Sequence, residues 1–360
     1  MPDNPILDAN TSHAIYIERL GAANANKLDP ELKKLASYVR SRIGEEGATL
    51  GSQKEINALV RDVRAKFAKA YERWTRETFD FVDELAGYEA GFQSNIIDAS
   101  TDGYQVKEPN AEKAKRKVFN TAMMIGTGGA AVSVNALLGN FTKTQSDAVG
   151  DIIRSGSDGR PATDVIAAIT GTKKSGYSDG LMARTKRSAT TISKTAANHT
   201  SEQAKQVVYK DNDKAVIGYK IIAVLDGKTS QTCRGLDGTE VRFNDSYQPH
   251  PPFHRNCRTT EGPLLNPELA AISTEARSND MPKGSEFQST ASQYYTRMKT
   301  QPAWYQDDVL GKTQGKIFRN AGLTPEEFRK VTITRTGEPL NLKQMAEKDG
   351  RIKAYLASLK

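Results

Sequence analysis

From Ile56 through Leu59, Val60, Val63, Phe67, Ala70, Tyr71 and Trp74, and on to Phe81, Val82 and Leu85, apolar residues recur every three or four positions with charges between them. That spacing lays them along one stripe of an α-helix. Ser52, just ahead of the run, is a residue type that caps helix N-termini. A helix over 53–85 exceeds ordinary globular lengths and does not hold itself together in water, so something must pack along it. A sister helix in an antiparallel bundle meets that need, and so does a helix of another protein. A shorter stripe after Asp29-Pro30, made of Leu32, Leu35, Ala36, Val39 and Ile43, marks another helix.

Residues 1–93 therefore read as a helical N-terminal region. Residues 94–110 gather Asp, Ser, Thr, Gly and Pro109 and read as a linker. The segment 111–210 is helical and basic. Lys113, Lys115, Arg116 and Lys117 open it, and a helix from Leu181 to about Tyr209 carries Arg184, Lys186, Arg187, Lys194 and Lys205 against the single acid Glu202. With a formal charge of +8 on 360 residues, the field around the protein favours anionic partners. Lys113, Lys115, Arg116, Lys117, Arg184, Lys186 and Arg187 are thus candidate nucleic-acid contacts, set against the plainer reading of solvated helix faces.

Between Val118 and Thr142 no residue is charged. The stretch is too rich in Asn, Ser, Thr and Gly for a spanning helix, which needs roughly 20 mostly apolar residues. It reads as a buried helix, a Gly turn and a second helix, which argues against stable membrane association. The N-terminus lacks a signal-peptide pattern, and two cysteines exclude a disulfide-rich secreted scaffold, so folding in a reducing cytoplasm is the expectation.

The pattern then changes. Val216–Leu225 is rich in β-branched residues and predicts a strand, and Thr239–Phe243 predicts a second after the Asp237-Gly238 turn. Residues 211–265 form a Cys/His strand-turn core, 266–292 an irregular linker, and 293–360 a C-terminal unit. The chain as a whole reads as α+β: mainly helical N-terminal and middle regions, a small Cys/His-containing β core and a short C-terminal unit.

Both cysteines and two of the four histidines fall in that core, as Cys233, His250, His254 and Cys257. The last three are closely spaced, and a hairpin returning Cys233 would complete the tetrahedral sulfur and nitrogen set that zinc prefers. The opposing reading is a metal-free, hydrogen-bonded turn, because Cys233 stands alone where zinc ribbons have two tight ligand pairs. Asp226, Gly227, Asp237 and Gly238 are turn formers. A Cys233–His254 nucleophile pair has nothing else to support it. No phosphate-binding Gly loop or paired-carboxylate signature occurs elsewhere, so the expectation is a protein that is not an enzyme.

Three stretches resemble the phage Mu F-like head morphogenesis family, the minor capsid proteins of tailed bacteriophages. They are Ala183–Thr191 (A-R-T-K-R-S-A-T-T), I-A-V-L-D-G-K-T-S-Q-T-C-R-G-L-D-G with the later P-P-F-H-R-N-C-R, and a C-terminal run beginning Y-Y-T-R-M-K. The resemblance covers roughly Ala111 to Leu342 and leaves the N-terminal helices unassigned. Many members of the family carry thiols where this chain has Ser230 and Thr259, and proline where it has Arg255. Two expected metal-binding thiols are therefore absent, and either His250 substitutes or the core holds without metal. The motif also points to Arg258 as a partner for a carboxylate such as Asp226. The resemblance implies a structural protein made in the host cytoplasm and then held inside the virion head near the portal vertex. Its partners would be the portal or the major capsid protein, with packaged DNA within reach; oligomeric state is left open. Two alternatives are an internal protein ejected with the genome, supported only by the uncharged 118–142 stretch, and an enzyme acting on the phage genome.

Overall fold

The structure is a computed structural model that describes residues 5–45, 52–126, 129–156, 159–225, 227–271, 295, 298–299, 303–334 and 339–359. Helices α1 (Pro5–Asn26) and α2 (Asp29–Gly44) lead into α3 (Gln53–Ser100). Then follow α4 (Ala111–Asn120), α5 (Val134–Ser155), α6 (Ala162–Thr170) and α7 (Leu181–Asp211). The sheet region contains β1 (Val216–Ile222), the short helix α8 (Gln231–Leu236), β2 (Glu240–Arg242) and β3 (Thr260–Leu265). Among the described residues, five helices close the chain: α9 (Ala303–Leu310), α10 (Lys312–Asn320), α11 (Pro325–Thr332), α12 (Leu342–Lys348) and α13 (Gly350–Ser358). This is the mainly helical α+β arrangement read from the sequence.

The amphipathic stripe forms α3, the spine of the molecule. Ser52 and Glu55 make a reciprocal capping box at its start. Its apolar face is buried against α5 and α7, with Trp74 tilted against Phe141 of α5 and Tyr71 meeting it edge-on, at centroid separations of 4.8 and 5.5 Å. The long helix is thus partnered within its own chain. It does not stop near Leu85 but runs to Ser100, through most of the residues that composition marked as a linker's start. The stripe continues there with Glu89, Ala90, Gln93, Ser94 and Ile97 buried. Periodicity missed them because several are polar. Their partners lie on other helices, for instance the side-chain Oδ1 of Asn10, which accepts from Gln93 Nε2 at 3.1 Å.

The uncharged stretch 118–142 contributes Val118, Val134, Leu137, Leu138 and Phe141 to the main core. No helix among the described residues is long and apolar enough to cross a membrane.

Helix α7 runs where the sequence placed it, but in a different environment. Beyond Thr191 nearly every residue up to Tyr209 is buried, because α1, α3, α4, α5 and the sheet surround it. Helix α1 lies closest. A Cβ on Gly21 would sit 2.8 Å from Lys194 Cα, so only glycine allows this approach. Along the same seam Asn24 Nδ2 donates to Thr78 Oγ1 and Ser193 Oγ, each at 3.0 Å.

The three strands are antiparallel in the order β2-β1-β3. Strand β1 ends at Ile222, short of Leu225. Strand β3 is an addition to the two strands that the sequence predicts. It is an edge strand, where proline's missing N–H need not be paired, and Pro263 lies opposite Tyr219. The last five helices carry a hydrophobic cluster of their own around Tyr295, Phe318, Phe328, Met345 and Ile352.

A candidate Cys/His metal centre beside a buried charge network

Cys233 is presented by α8, which Ser230 caps by accepting from Cys233 N at 3.2 Å. Cys257 and His254 come from the turn before β3. That turn is fastened to α7 by Asn256, whose backbone N donates to Thr195 Oγ1 at 3.0 Å and whose Nδ2 donates to Thr191 Oγ1 at 3.1 Å. Asn256 adopts a left-handed φ of 58°, a conformation asparagine tolerates better than most side chains. The result brings Cys233 Sγ to 3.6 Å from Cys257 Sγ and 3.1 Å from His254 Nε2. Both cysteines are free thiols and both are buried.

The electrostatics of the trio favour one thiolate. Burial would raise the Cys257 thiol, but hydrogen bonds from Cys233 and His254 outweigh it and hold Cys257 well below the ordinary thiol range. Cys233 is pushed well above that range, first by sharing a proton with Cys257 and then by burial. The contact with Cys257 also raises the His254 imidazole. His254 Nδ1 donates to the Arg255 carbonyl at 2.9 Å, which aims Nε2 at the sulfurs.

These three side chains form a group that could hold a metal ion, with ligand atoms all within 4.8 Å of one another. Tetrahedral zinc, with bonds near 2.3 Å to sulfur and 2.0 Å to nitrogen, sets its ligands about 3.6–3.8 Å apart. The observed spacing needs only small adjustment, and the Nδ1 contact fixes the tautomer as it does in established zinc sites. The donor set fits zinc with three protein ligands.

His250, read as a conditional fourth ligand, is elsewhere. Its Nδ1 lies 2.7 Å from Glu261 Oε1, and its ring packs at a tilt against that of Tyr219, centroids 4.8 Å apart. Instead the hydroxyls of Ser230 and Thr259 hydrogen-bond to Cys233. These are the two positions where the resembled family carries thiols. The departures thus change the donor atoms, while the geometry still gathers the same positions around one point.

The turn formers behave unevenly. Asp237 is a buried carboxylate whose Oδ1 accepts from Ala223 N at 2.7 Å, tying the end of β1 to the turn. Burial pushes its pKa up to about 7. Gly238 takes the left-handed φ of 76° that favours glycine. Gly227 is exposed in a turn. Asp226 lies outside the described residues, and with it the suggested pair with Arg258.

Next to the centre is a network that sequence reasoning missed. Lys205, counted there among the solvated cations, is fully buried and donates to Glu202 Oε1 at 2.9 Å. Glu202 also accepts from Thr260 Oγ1 at 2.7 Å and from Glu261 N at 2.9 Å. Glu261, buried on β3, accepts from Gln206 Nε2 and faces His250. Burial raises Glu202 to about 8, and the charge of Lys205 only partly offsets it. On the other side, His13 of α1 meets the buried Glu89 of α3 at 2.6 Å. The only signal in the sequence was the Glu202–Lys205 spacing of three on a face otherwise made of small and polar residues.

The candidate nucleic-acid residues divide. Lys113 pairs with Asp211, Lys115 with Asp83 at 2.8 Å, and Lys186 with Asp29 at 2.6 Å. Lys117 is half-buried. Arg116, Arg184 and Arg187 are exposed. Arg187 donates to the Ser178 carbonyl at 3.3 Å, in a loop that also exposes Lys173, Lys174 and Tyr177, with Arg40 over the Tyr177 ring.

A helical chain whose small antiparallel sheet is pinned by a Cys/His trio is the class that this geometry defines. Residues 148–261 match a family model described as Phage Mu protein F like protein, the family that the motifs resemble. The matched stretch runs from the second half of α5 into β3 and includes the whole Cys/His centre and the Glu202–Lys205 pair. It is shorter than the span of the resemblance and leaves α1 to α4 and the last five helices outside. The match suggests a phage head morphogenesis protein. No curated protein and no solved structure matches the chain.

Proposed function

We propose that this chain is a structural minor component of a tailed-phage head, acting in head assembly or maturation by binding rather than by turnover. The observation that carries this reading is the family match over 148–261, which coincides with the one part of the chain where α7, the sheet and the Cys/His trio lock together. The partner is the portal or the inner capsid surface, and the protein resides in the host cytoplasm before entering the head.

Zinc at Cys233, His254 and Cys257 fits this role. When bound it would supply structural closure beside the three-stranded sheet, tying α8 to the turn before β3. The chain's own residues do the rest: Ser230 and Thr259 brace Cys233, and the Arg255 carbonyl orients His254.

DNA contact is assigned to the surface around Arg184 and Arg187 with Lys173, Lys174 and Arg40. Among the described residues these cations have no carboxylate partner, whereas Lys113, Lys115 and Lys186 do. Unpaired surface cations displace counterions from nucleic acid. A K173E/K174E/R184E/R187E variant should lose at least tenfold in affinity for duplex DNA and show a shallower salt dependence, while K113E stays close to wild type. Equal affinities would remove DNA from the reading.

The role itself is tested in the phage. Deleting the gene should lower the yield of infectious particles, and mass spectrometry of purified heads should find the protein in a few copies. Heads that lack the protein, with an unchanged titre on deletion, would refute it.

A further inference from the structure

Helix α8 has six residues, far below the length at which a helix is stable on its own. Its position is imposed from two sides. On one, Cys233 Sγ faces Cys257 and His254. On the other it is gripped by the C-terminal unit. Gln231 Nε2 donates to the Thr332 carbonyl. Arg234, which is buried, donates from Nη1 to the Val309 carbonyl at 3.3 Å, in the last turn of α9. Arg329 of α11 returns a bond from Nη1 to the Gly235 carbonyl at 3.0 Å. Gly235 leaves no room at this joint, since a Cβ there would lie 2.2 Å from Ile333 Cδ1.

The C-terminal unit has its own hydrophobic cluster, separate from the main core, so its purchase on the rest of the molecule is local. Its main packing contact outside itself, among the described residues, is α11 against α8. Leu225 is partly buried against both the C-terminal cluster and the cysteine cluster. One short helix therefore carries a ligand of the centre on one face and the docking site of the unit on the other.

We propose that the Cys/His centre is a docking switch for the C-terminal unit: a metal ion on Cys233, His254 and Cys257 holds α8 in the orientation that α9 and α11 grip, and emptying the centre releases the unit. The inference rests on the zinc reading above. It is a statement of linkage, so metal and docking must strengthen each other by the same factor.

The experiment uses the full chain with Zn²⁺ as the probe. Hydrogen exchange is compared in the zinc-loaded and chelator-stripped protein, and zinc affinity is measured by competition with a chromophoric chelator. Stripping should speed exchange in α9 and α11 about tenfold or more and leave α3 and α5 unchanged. Gly235→Val, which blocks the joint, should weaken zinc binding about tenfold. Ile333→Asp, which alters only the unit's side and leaves α8 intact, should do the same. Equal protection of α9 and α11 with and without zinc, or wild-type zinc affinity in Ile333→Asp, would overturn the switch while leaving the zinc reading in place. A wild-type chain that binds no zinc would overturn both.

Discussion

Lys205→Met tests whether the buried charge network is a coupled structural unit. Lys205 and Glu202 have side chains 0% and 1% exposed and meet at 2.9 Å. Methionine keeps much of the length of lysine and removes the charge. Glu202, Glu261 and Glu89, all buried, then lose the cation they share. Breaking a buried pair from one side costs about 3–5 kcal/mol, because the remaining charge has neither water nor partner. Two features of the site bear on where in that range the cost falls. Glu202 accepts from Thr260 and the Glu261 backbone as well, which supports its ionised form. Burial opposes that and raises its pKa to about 8. A carboxyl whose folded pKa lies above its unfolded value adds stability that is full below the unfolded value and is lost as pH rises through the folded one. The window here is about 4.5 to 8. Without Lys205 the proton is held more tightly still, so the deficit of the variant should be small at pH 5, where Glu202 is protonated in both proteins, and widen as pH rises through 8 to about 9, where only the wild-type carboxyl ionises. Urea unfolding at both pH values reads this as a lowered midpoint at unchanged slope. The double variant Lys205→Met with Glu202→Leu should recover part of the loss, since it removes the stranded Glu202 carboxylate while Glu261 and Glu89 still lack their cation. A loss under about 1 kcal/mol, or a double variant no better than the single, would refute the reasoning.

Further outcomes follow from other contacts. Gly21→Ala should cost about 1–3 kcal/mol, because the new methyl meets the Lys194 backbone rather than a movable side chain; thermal melts compare it with Gly91→Ala, where no atom lies within 4 Å. Elemental mass spectrometry should find about one zinc per chain, lost in Cys257→Ser and kept in His250→Ala, since His250 engages Glu261 instead; zinc loss in His250→Ala would restore it as a ligand. Burial lowers His199 to about 4. A histidine depressed in this way contributes stability that is present above its unfolded value and lost as pH falls through the folded one. Unfolding at pH 5 should therefore show about 2 kcal/mol less stability from this group than at pH 7, and His199→Gln should flatten that limb.

Parts of this molecule were legible because they depend on local chemistry. The α3 stripe, the Ser52 cap, the extent of α7 and strand β1 follow from residue spacing and cap types within a few turns of chain. So did the gathering of Cys233, His254 and Cys257, whose turn is defined by its own short motif. What failed depended on neighbours far away in sequence. Strand β3 was hidden because Pro263 is tolerable only at a sheet edge, and only the sheet order shows that it lies there. The end of α3 was hidden because its buried polar residues answer to α1 and α7.

The same division accounts for the site. The sequence by itself determined which side chains can bind a metal and which helices have a face to bury, since these are properties of residue type and period. It could not determine which charges are solvated. Lys205 and Lys194 are one residue type on one helix, yet one is fully buried in an ion pair and the other pairs with Glu18 at the margin of α1. It also left His250 open as a zinc ligand until β3 brought the Glu261 carboxylate to its Nδ1. The tertiary structure decided these matters because the free energy of a charge or an imidazole is set by the dielectric and the partners around it, and those arrive from distant parts of the chain.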